Sequence, residues 1–192
     1  MVPLETRLEQ YRETVNSIVH KAHLSNNIDE ICFLLGNDLL QTDSIRNQTV
    51  KGTDVDASMT WDKSYEVAYE LMYDTIHQLK HYCNKLTVVY VPGNHSASNE
   101  YFITHSLQVA FKADPNIIFQ RGPEKYKCFT YGNTALFLNH GDNINDKLPL
   151  LFAQTYPKDW GNTKYHESLL GHYHGNNEKR FSQTQAETQG VR

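Results

Sequence analysis

The stretch Val88-Val-Tyr-Val-Pro-Gly-Asn-His95 decides how the rest of the chain is read. An apolar run of β-branched and aromatic residues that stops at Pro92-Gly93 predicts a buried strand ending in a tight turn. Asn94 and His95 then stand at the carboxyl edge of a sheet, where open α/β folds place their ligands. Alone, this is ordinary turn chemistry, because Gly-Asn is a common turn pair and a single His beside it is more often structural. Three further stretches repeat the pattern: Leu34-Leu-Gly-Asn-Asp38, Phe137-Leu-Asn-His-Gly-Asp142 and Leu169-Leu-Gly-His-Tyr-His174. Each is an apolar run that ends in a Gly-containing turn carrying Asp, Asn or His.

Around these turns the chain alternates between helical and strand periods. Leu4, Leu8, Tyr11, Val15, Ile18, Val19 and Ala22 recur at helical spacing, predicting an amphipathic helix over 4–23 with no strand before it. Residues 31–35 are apolar on both faces, as expected of an interior strand in a covered sheet. The polar segment 41–60 shows no sustained period and reads as an irregular loop near the strand end, either a substrate rim or a solvated loop. Helical spacing resumes over 65–82, so 31–90 has the length and pattern of a parallel βαβ unit. Beyond it, 99–112 reads as a helix and 116–120, 127–131 and 134–138 as short strands, the last two joined by a hairpin turn at Gly132-Asn133. A helix over 146–156 tolerates Pro149 in its first turn. A brief strand at 168–170, another at 179–184 and a frayed polar end complete the reading.

Composition bounds the function. A chain of 192 residues fits one domain with a sizeable core. Its net charge of −4, with 18 basic residues spread along the chain, shows no footprint for nonspecific nucleic-acid binding, although a bound metal can supply positive charge locally. Cys32, Cys83 and Cys128 are odd in number and far apart, which argues against a disulfide framework or a thiolate zinc site and makes a reducing cytoplasm the expected compartment. The polar amino terminus predicts no signal peptide. No apolar run approaches the ~20 residues that span a bilayer, so no membrane partner is expected.

Carboxylate, amide oxygen and neutral imidazole are the donors that a hard-to-borderline divalent metal selects. His172 and His174 are two apart, so in an extended segment they project to one side and can face one metal or a pair of metals. A lone His-x-His is most often a solvated loop; four strand ends that each present a ligand weaken that reading.

In order along the chain, Gly-Asn-Asp, Gly-Asn-His, His-Gly-Asp and Gly-His-x-His resemble the motifs of the calcineurin-like metallophosphoesterases. That family includes phosphatases, phosphodiesterases and double-strand-break repair nucleases. The match runs from about residue 31 to residue 175. The resemblance implies an α/β fold, a four-layer αββα sandwich with mixed sheets, here lacking its first strand, in one domain over 1–192 that is incomplete at both ends. It implies hydrolysis of a phosphate ester by metal-activated water, as a phosphodiesterase or a nuclease of the DNA-repair type, with nucleic acid among the candidate substrates. The implied cofactors are divalent ions, manganese first, with zinc, iron(II) or magnesium as alternatives. Two ions are bound in the intact family.

Carried over residue by residue, Asp38 is similar to the carboxylate that bridges the two metals, although Asn37 separates it from Gly36. Asn94, His140 and His172 match further ligands of the second metal, His174 a ligand of the first, and His95 the imidazole that protonates the leaving group. Two departures follow. No Asp-x-His occurs in this chain, so the second site is expected to fill first and the first to be weak. Ser96 stands where the family commonly has a carboxylate that orients the preceding His, so another group must aim His95. The alternative reading is a non-catalytic or impaired phosphoesterase-like domain that binds one metal or a partner. His20, His23, His77 and His81 read as solvated helix faces, and Tyr65, Tyr69 and Tyr73 as core packing. Asp43 is a candidate support for the Asp38 loop, Asp142 for a ligand His, and His105 and His166 are candidate pocket lining.

Overall fold

Register within two small sheets brings the motif turns together. The computed structural model describes residues 3–142, 147–172 and 179–182. Helix α1 (Leu4–Ser25) leads into β1 (Ile28–Gly36), and α2 (Trp61–Leu79) returns the chain to β2 (Cys83–Val91), completing the expected parallel βαβ unit. Helix α3 (Ala97–Ala110) and β3 (Ile117–Gln120) extend it, giving a first sheet of order β1-β2-β3 with every pairing parallel. The register sets Gly36 beside Val91, so the turns after β1 and β2 leave the sheet side by side.

The second sheet has order β4-β5-β6-β7. Its strands are β4 (Lys127–Tyr131), β5 (Thr134–Asn139), β6 (Tyr165–Leu170) and β7 (Lys179–Ser182). β4 and β5 form the expected hairpin, with Gly132 at φ +55°, a left-handed position that glycine adopts without strain. β5 and β6 are parallel and set Asn139 opposite Leu170, so the turns carrying His140 and His172 also emerge together. Between β5 and β6 lie α4 (Leu148–Thr155), with Pro149 in its first turn as expected, and α5 (Pro157–Asn162), a helix that periodicity did not anticipate because it is shorter than two turns.

Three apolar clusters stack through the molecule. On the outer face of the first sheet, Leu35, Leu86 and Val88 pack with Ala68, Leu71, Met72 and Ile76 of α2, Ile103 and Leu107 of α3 and Val19 of α1. Each large aliphatic side chain fully removed from water there contributes roughly 1.5–3 kcal/mol. Between the sheets, Val89 and Val91 meet Phe129 and Leu138, with Cys32, Leu34 and Leu169 alongside. Behind the second sheet, Ala135 and Phe137 pack on Leu148 and Phe152. The result is an α/β protein with two small sheets and helices outside them, compatible with a layered sandwich.

Two expectations are corrected. Among the described residues only the second sheet is mixed, because all three strands of the first are joined by parallel pairings. β1 is an edge of the described sheet rather than an interior strand, and most of its residues are half-buried. A run that is apolar on both faces does not itself reveal whether both backbone edges are paired. Among the described residues no helix is long and apolar enough to cross a membrane.

Candidate metal centre

The first ligand-bearing turn is built from left-handed backbone. Gly36, Asn37 and Asp38 follow one another at φ +99°, +59° and +68°. Glycine enters this region freely, and Asn and Asp are the side-chain-bearing residues that best tolerate it. The turn is tied to β2 by the Asn37 N–H, which donates to the Val91 carbonyl at 2.7 Å. It is tied to the second turn by the His95 N–H, which donates to Asp38 Oδ1 at 2.8 Å. Gly93 passes so close that a Cβ there would strike the Asp38 carboxylate and backbone nitrogen. Only glycine lets the two turns approach this far.

The fully buried carboxylate of Glu100, on α3, holds both turns from beneath. Its Oε1 accepts the Leu39 N–H at 2.7 Å and its Oε2 the Gly93 N–H at 3.1 Å, one from each turn. The Ser96 hydroxyl lies 2.9 Å from Oε1. Burial pushes the Glu100 carboxyl up to about 7, against the opposing hydrogen bonds from Gly93, Ser96 and Leu39, and the nearby charge of Asp38 adds to the rise.

The second sheet delivers two imidazoles onto these turns. His140 follows β5 and is 3 % exposed. Its Nδ1 is 2.6 Å from Asn37 Oδ1, and an amide oxygen only accepts, so Nδ1 carries the proton and Nε2 presents a lone pair. That Nε2 is 2.6 Å from Asn94 Oδ1 and 3.0 Å from Asp38 Oδ2. His172 Nδ1 is 3.1 Å from Asn94 Oδ1 and 3.2 Å from His140 Nε2. His172 sits at φ +65°, and Gly171 before it packs against the Asn37 amide where a Cβ would collide.

Four atoms from four separate turns therefore converge: Asp38 Oδ2, Asn94 Oδ1, His140 Nε2 and His172 Nδ1. The two oxygens and the His140 nitrogen meet as electron pairs without a proton between them, an unfavourable grouping that a central cation relieves. Their spacing is near the ~3.3 Å that separates neighbouring ligand atoms around a tetrahedral ion with bonds of about 2.0–2.1 Å. Burial lowers the His140 pKa despite the opposing charge of Asp38, and His172 lowers it further, which favours the neutral, ligating imidazole. Asp38, His140 and His172 can thus hold a metal ion, and their ligand atoms all lie within 4.8 Å of one another.

The other sequence-derived candidates fall into place around this centre. His95 Nδ1–H donates to the Gln41 carbonyl at 3.2 Å, so a main-chain oxygen of the 41–60 loop supplies the orientation that Ser96 does not. Asp43 supports α3 rather than the Asp38 loop: its Oδ1 accepts the Ser98 and Asn99 N–H groups at 2.7 and 3.3 Å, the part a capping residue plays. Asp142 lines a cavity with Asn94 and His140. His105 is exposed on α3, and His166 lies apart, stacked on Trp160 in the third apolar cluster. The extended His172-x-His174 geometry does not occur at His172, whose left-handed backbone makes a turn, and His174 lies outside the described residues. Asn37, Gln41 and Glu100 were not singled out by sequence, because each acts through a contact with a residue far away in the chain. The one local hint is Glu100, a carboxylate on the inner face of a helix otherwise filled by Ile103, Thr104 and Leu107.

No family model matches this chain, and neither a curated protein nor a solved structure does.

Proposed function

We propose that the chain is a metal-dependent phosphoesterase of the calcineurin-like kind, a phosphodiesterase or a nuclease of the DNA-repair type. The observation that carries this reading is the convergence of Asp38, Asn94, His140 and His172 at 2.6–3.2 Å, in the order that the motif resemblance leads one to expect. The resemblance puts manganese first, and the mixed oxygen and imidazole donors suit zinc and iron(II) as well. An ion held by these residues supplies positive charge against the non-bridging phosphate oxygens and makes water a usable nucleophile at neutral pH.

The chain's own groups divide the remaining work. The Gly93 approach and the Glu100 clamp keep Asp38 and Asn94 in register, so little reorganisation accompanies binding. Asn37 holds the proton of His140 on Nδ1 and so keeps Nε2 for the ion. Gln41 anchors His95 Nδ1–H, and a protonated His95 donates from Nε2 to the leaving oxygen. The described cysteines do not compete as nucleophiles. Burial pushes Cys32 up to about 12 and Cys128 up to about 11, and it raises Cys83 as well, so all three stay thiols at neutral pH.

A second reading is favoured by one observation: the described residues hold a single group of metal-binding side chains. On that reading the domain binds one ion and is catalytically impaired. Hydrolysis of bis(p-nitrophenyl) phosphate with added manganese, measured beside calorimetric manganese binding, separates the two. Turnover that vanishes in His140→Ala supports the enzyme; binding without turnover, lost in the same variant, supports the impaired domain. Unchanged binding and turnover in His140→Ala removes the metal assignment altogether.

A further inference from the structure

Two imidazoles remote from the Asp38 centre stand to each other much as its own pair does. His77 and His81 are exposed and four residues apart, and helical winding continues between them: the Lys80 N–H donates to the Ile76 carbonyl and the His81 N–H to the Gln78 carbonyl, each at 3.1 Å. Residues at that spacing lie one above the other on a helix face. Their ring centroids are 5.3 Å apart with the planes at 70°, against 5.0 Å and 74° for His140 and His172. A ladder of rings steadies them. Tyr73 stacks on Phe111, which is only 6 % exposed, at 4.9 Å, and His77 stacks on Tyr73 at 6.4 Å. Neither imidazole enters an ion pair among the described residues.

We propose that His77 and His81 form a second metal site, for a late first-row divalent ion such as zinc, that staples the carboxyl end of α2. Two imidazoles at i and i+4 on one helix face can chelate a single zinc ion. The pair offers two donors rather than the three grouped at Asp38, so water fills the ion's other positions and binding is the weaker of the two. Both donors are imidazoles, so the site favours zinc, nickel or copper over manganese, which prefers oxygen. The ion bridges the last turn of the helix and the tighter turn after it, where the His81 and Tyr82 N–H groups reach back three residues to the Gln78 and Leu79 carbonyls. This pair precedes β2 and the Asp38 centre lies beyond its far end. Nine strand residues at about 3.3 Å each put roughly 25–30 Å between them, so the two sites fill independently, whatever the Asp38 centre catalyses.

Calorimetric titration of the whole chain with zinc and with manganese, at a pH of about 7.5 where imidazole is neutral, tests the assignment. Zinc should fill a site that manganese leaves empty. Affinity at that site should fall about 100-fold in His77→Ala and equally in His81→Ala, because either substitution breaks the chelate. Both positions are exposed, so the fold stays intact. His23→Ala removes another exposed imidazole and should change nothing. Amide exchange over residues 79–83 should slow when zinc is added to the wild type and stay unchanged in the two variants. A zinc titration that neither substitution alters overturns the site. So does an equal loss in His23→Ala, which marks adventitious binding by scattered surface histidines, and exchange over 79–83 that zinc leaves unmoved overturns the staple.

Discussion

Two histidines are almost equally buried in this molecule, His140 at 3 % exposure and His166 at 1 %, and the regions that bury them are opposite in kind. His140 stands where both sheets present their carboxyl ends, with a lone pair turned toward Asp38 and Asn94. His166 stands behind the second sheet, its ring stacked on Trp160 with centroids 3.8 Å apart and its Nε2 shared between Thr163 Oγ1 and the Trp160 carbonyl, each at 3.0 Å. Burial lowers the pKa of both. Depth therefore does not tell a ligand from a core residue. The groups that face the ring do, and at His140 those groups are electron pairs in want of a cation.

The strongest way to break the comparison is to remove each ring. His140→Ala should weaken manganese binding by at least ~100-fold, the upper end of what removing even a supporting group costs a metal site. His166→Ala should leave manganese affinity unchanged and instead destabilise the fold by about 3 kcal/mol, as loss of a buried aromatic side chain does. Equal metal affinity in the two variants, read by calorimetry, would mean that the two regions do not differ as described.

The regions should also respond to pH in opposite senses. Glu100, under the ligand turns, has its carboxyl raised from 4.5 to about 7, so the folded state holds this proton more tightly than the unfolded chain. Its stabilising contribution is complete below pH 4.5 and disappears as pH climbs through about 7, a change of ~3 kcal/mol. In metal-free protein, urea titrations should show that change in the wild type and a flatter profile in Glu100→Gln. His166 runs the other way: its lowered pKa contributes stability above 6.5 that is lost as pH falls through the lowered value. His166→Phe should therefore lessen the acid sensitivity of the wild type, and an unchanged acid limb would show that this ring is not what the acid attacks.

Glycine substitutions probe the same contrast more gently. Gly93→Ala forces a methyl group into the Asp38 carboxylate and should cost about 1–3 kcal/mol together with measurable metal affinity. Gly161→Ala in α5 meets nothing within 4 Å and should be neutral or stabilising by up to about 1 kcal/mol, since alanine is the better helix former. A thermal melt in which the two variants shift alike would show that the turn after β2 has slack to spare.

Much of the element order was legible from periodicity. α1 was expected over 4–23 and runs Leu4–Ser25; the Thr134 strand was expected to residue 138 and runs Thr134–Asn139. α5 was not legible, because six residues cannot display a helical period. The edge position of β1 was hidden for a different reason, since strand pairing is a backbone matter that side-chain pattern does not encode. At the site, the motif residues that supply lone pairs were visible because each is a polar residue stopping an apolar run. The residues that hold them, Asn37, Gln41 and Glu100, were invisible as such: an amide, a main-chain carbonyl and a helical glutamate acquire their parts only from partners 103, 54 and 61 positions away.

The amino-acid sequence by itself determined which side chains stand at the ends of strands, because an apolar period and the glycine that stops it are local properties of the chain. The tertiary structure decided which of those ends meet. Pairing Gly36 with Val91 and Asn139 with Leu170, and packing Val89 and Val91 against Phe129 and Leu138, brings four turns to one point. Shifting either register by one residue would reverse every alternating side chain and scatter the ligands, and such long-range pairing leaves no mark in local sequence.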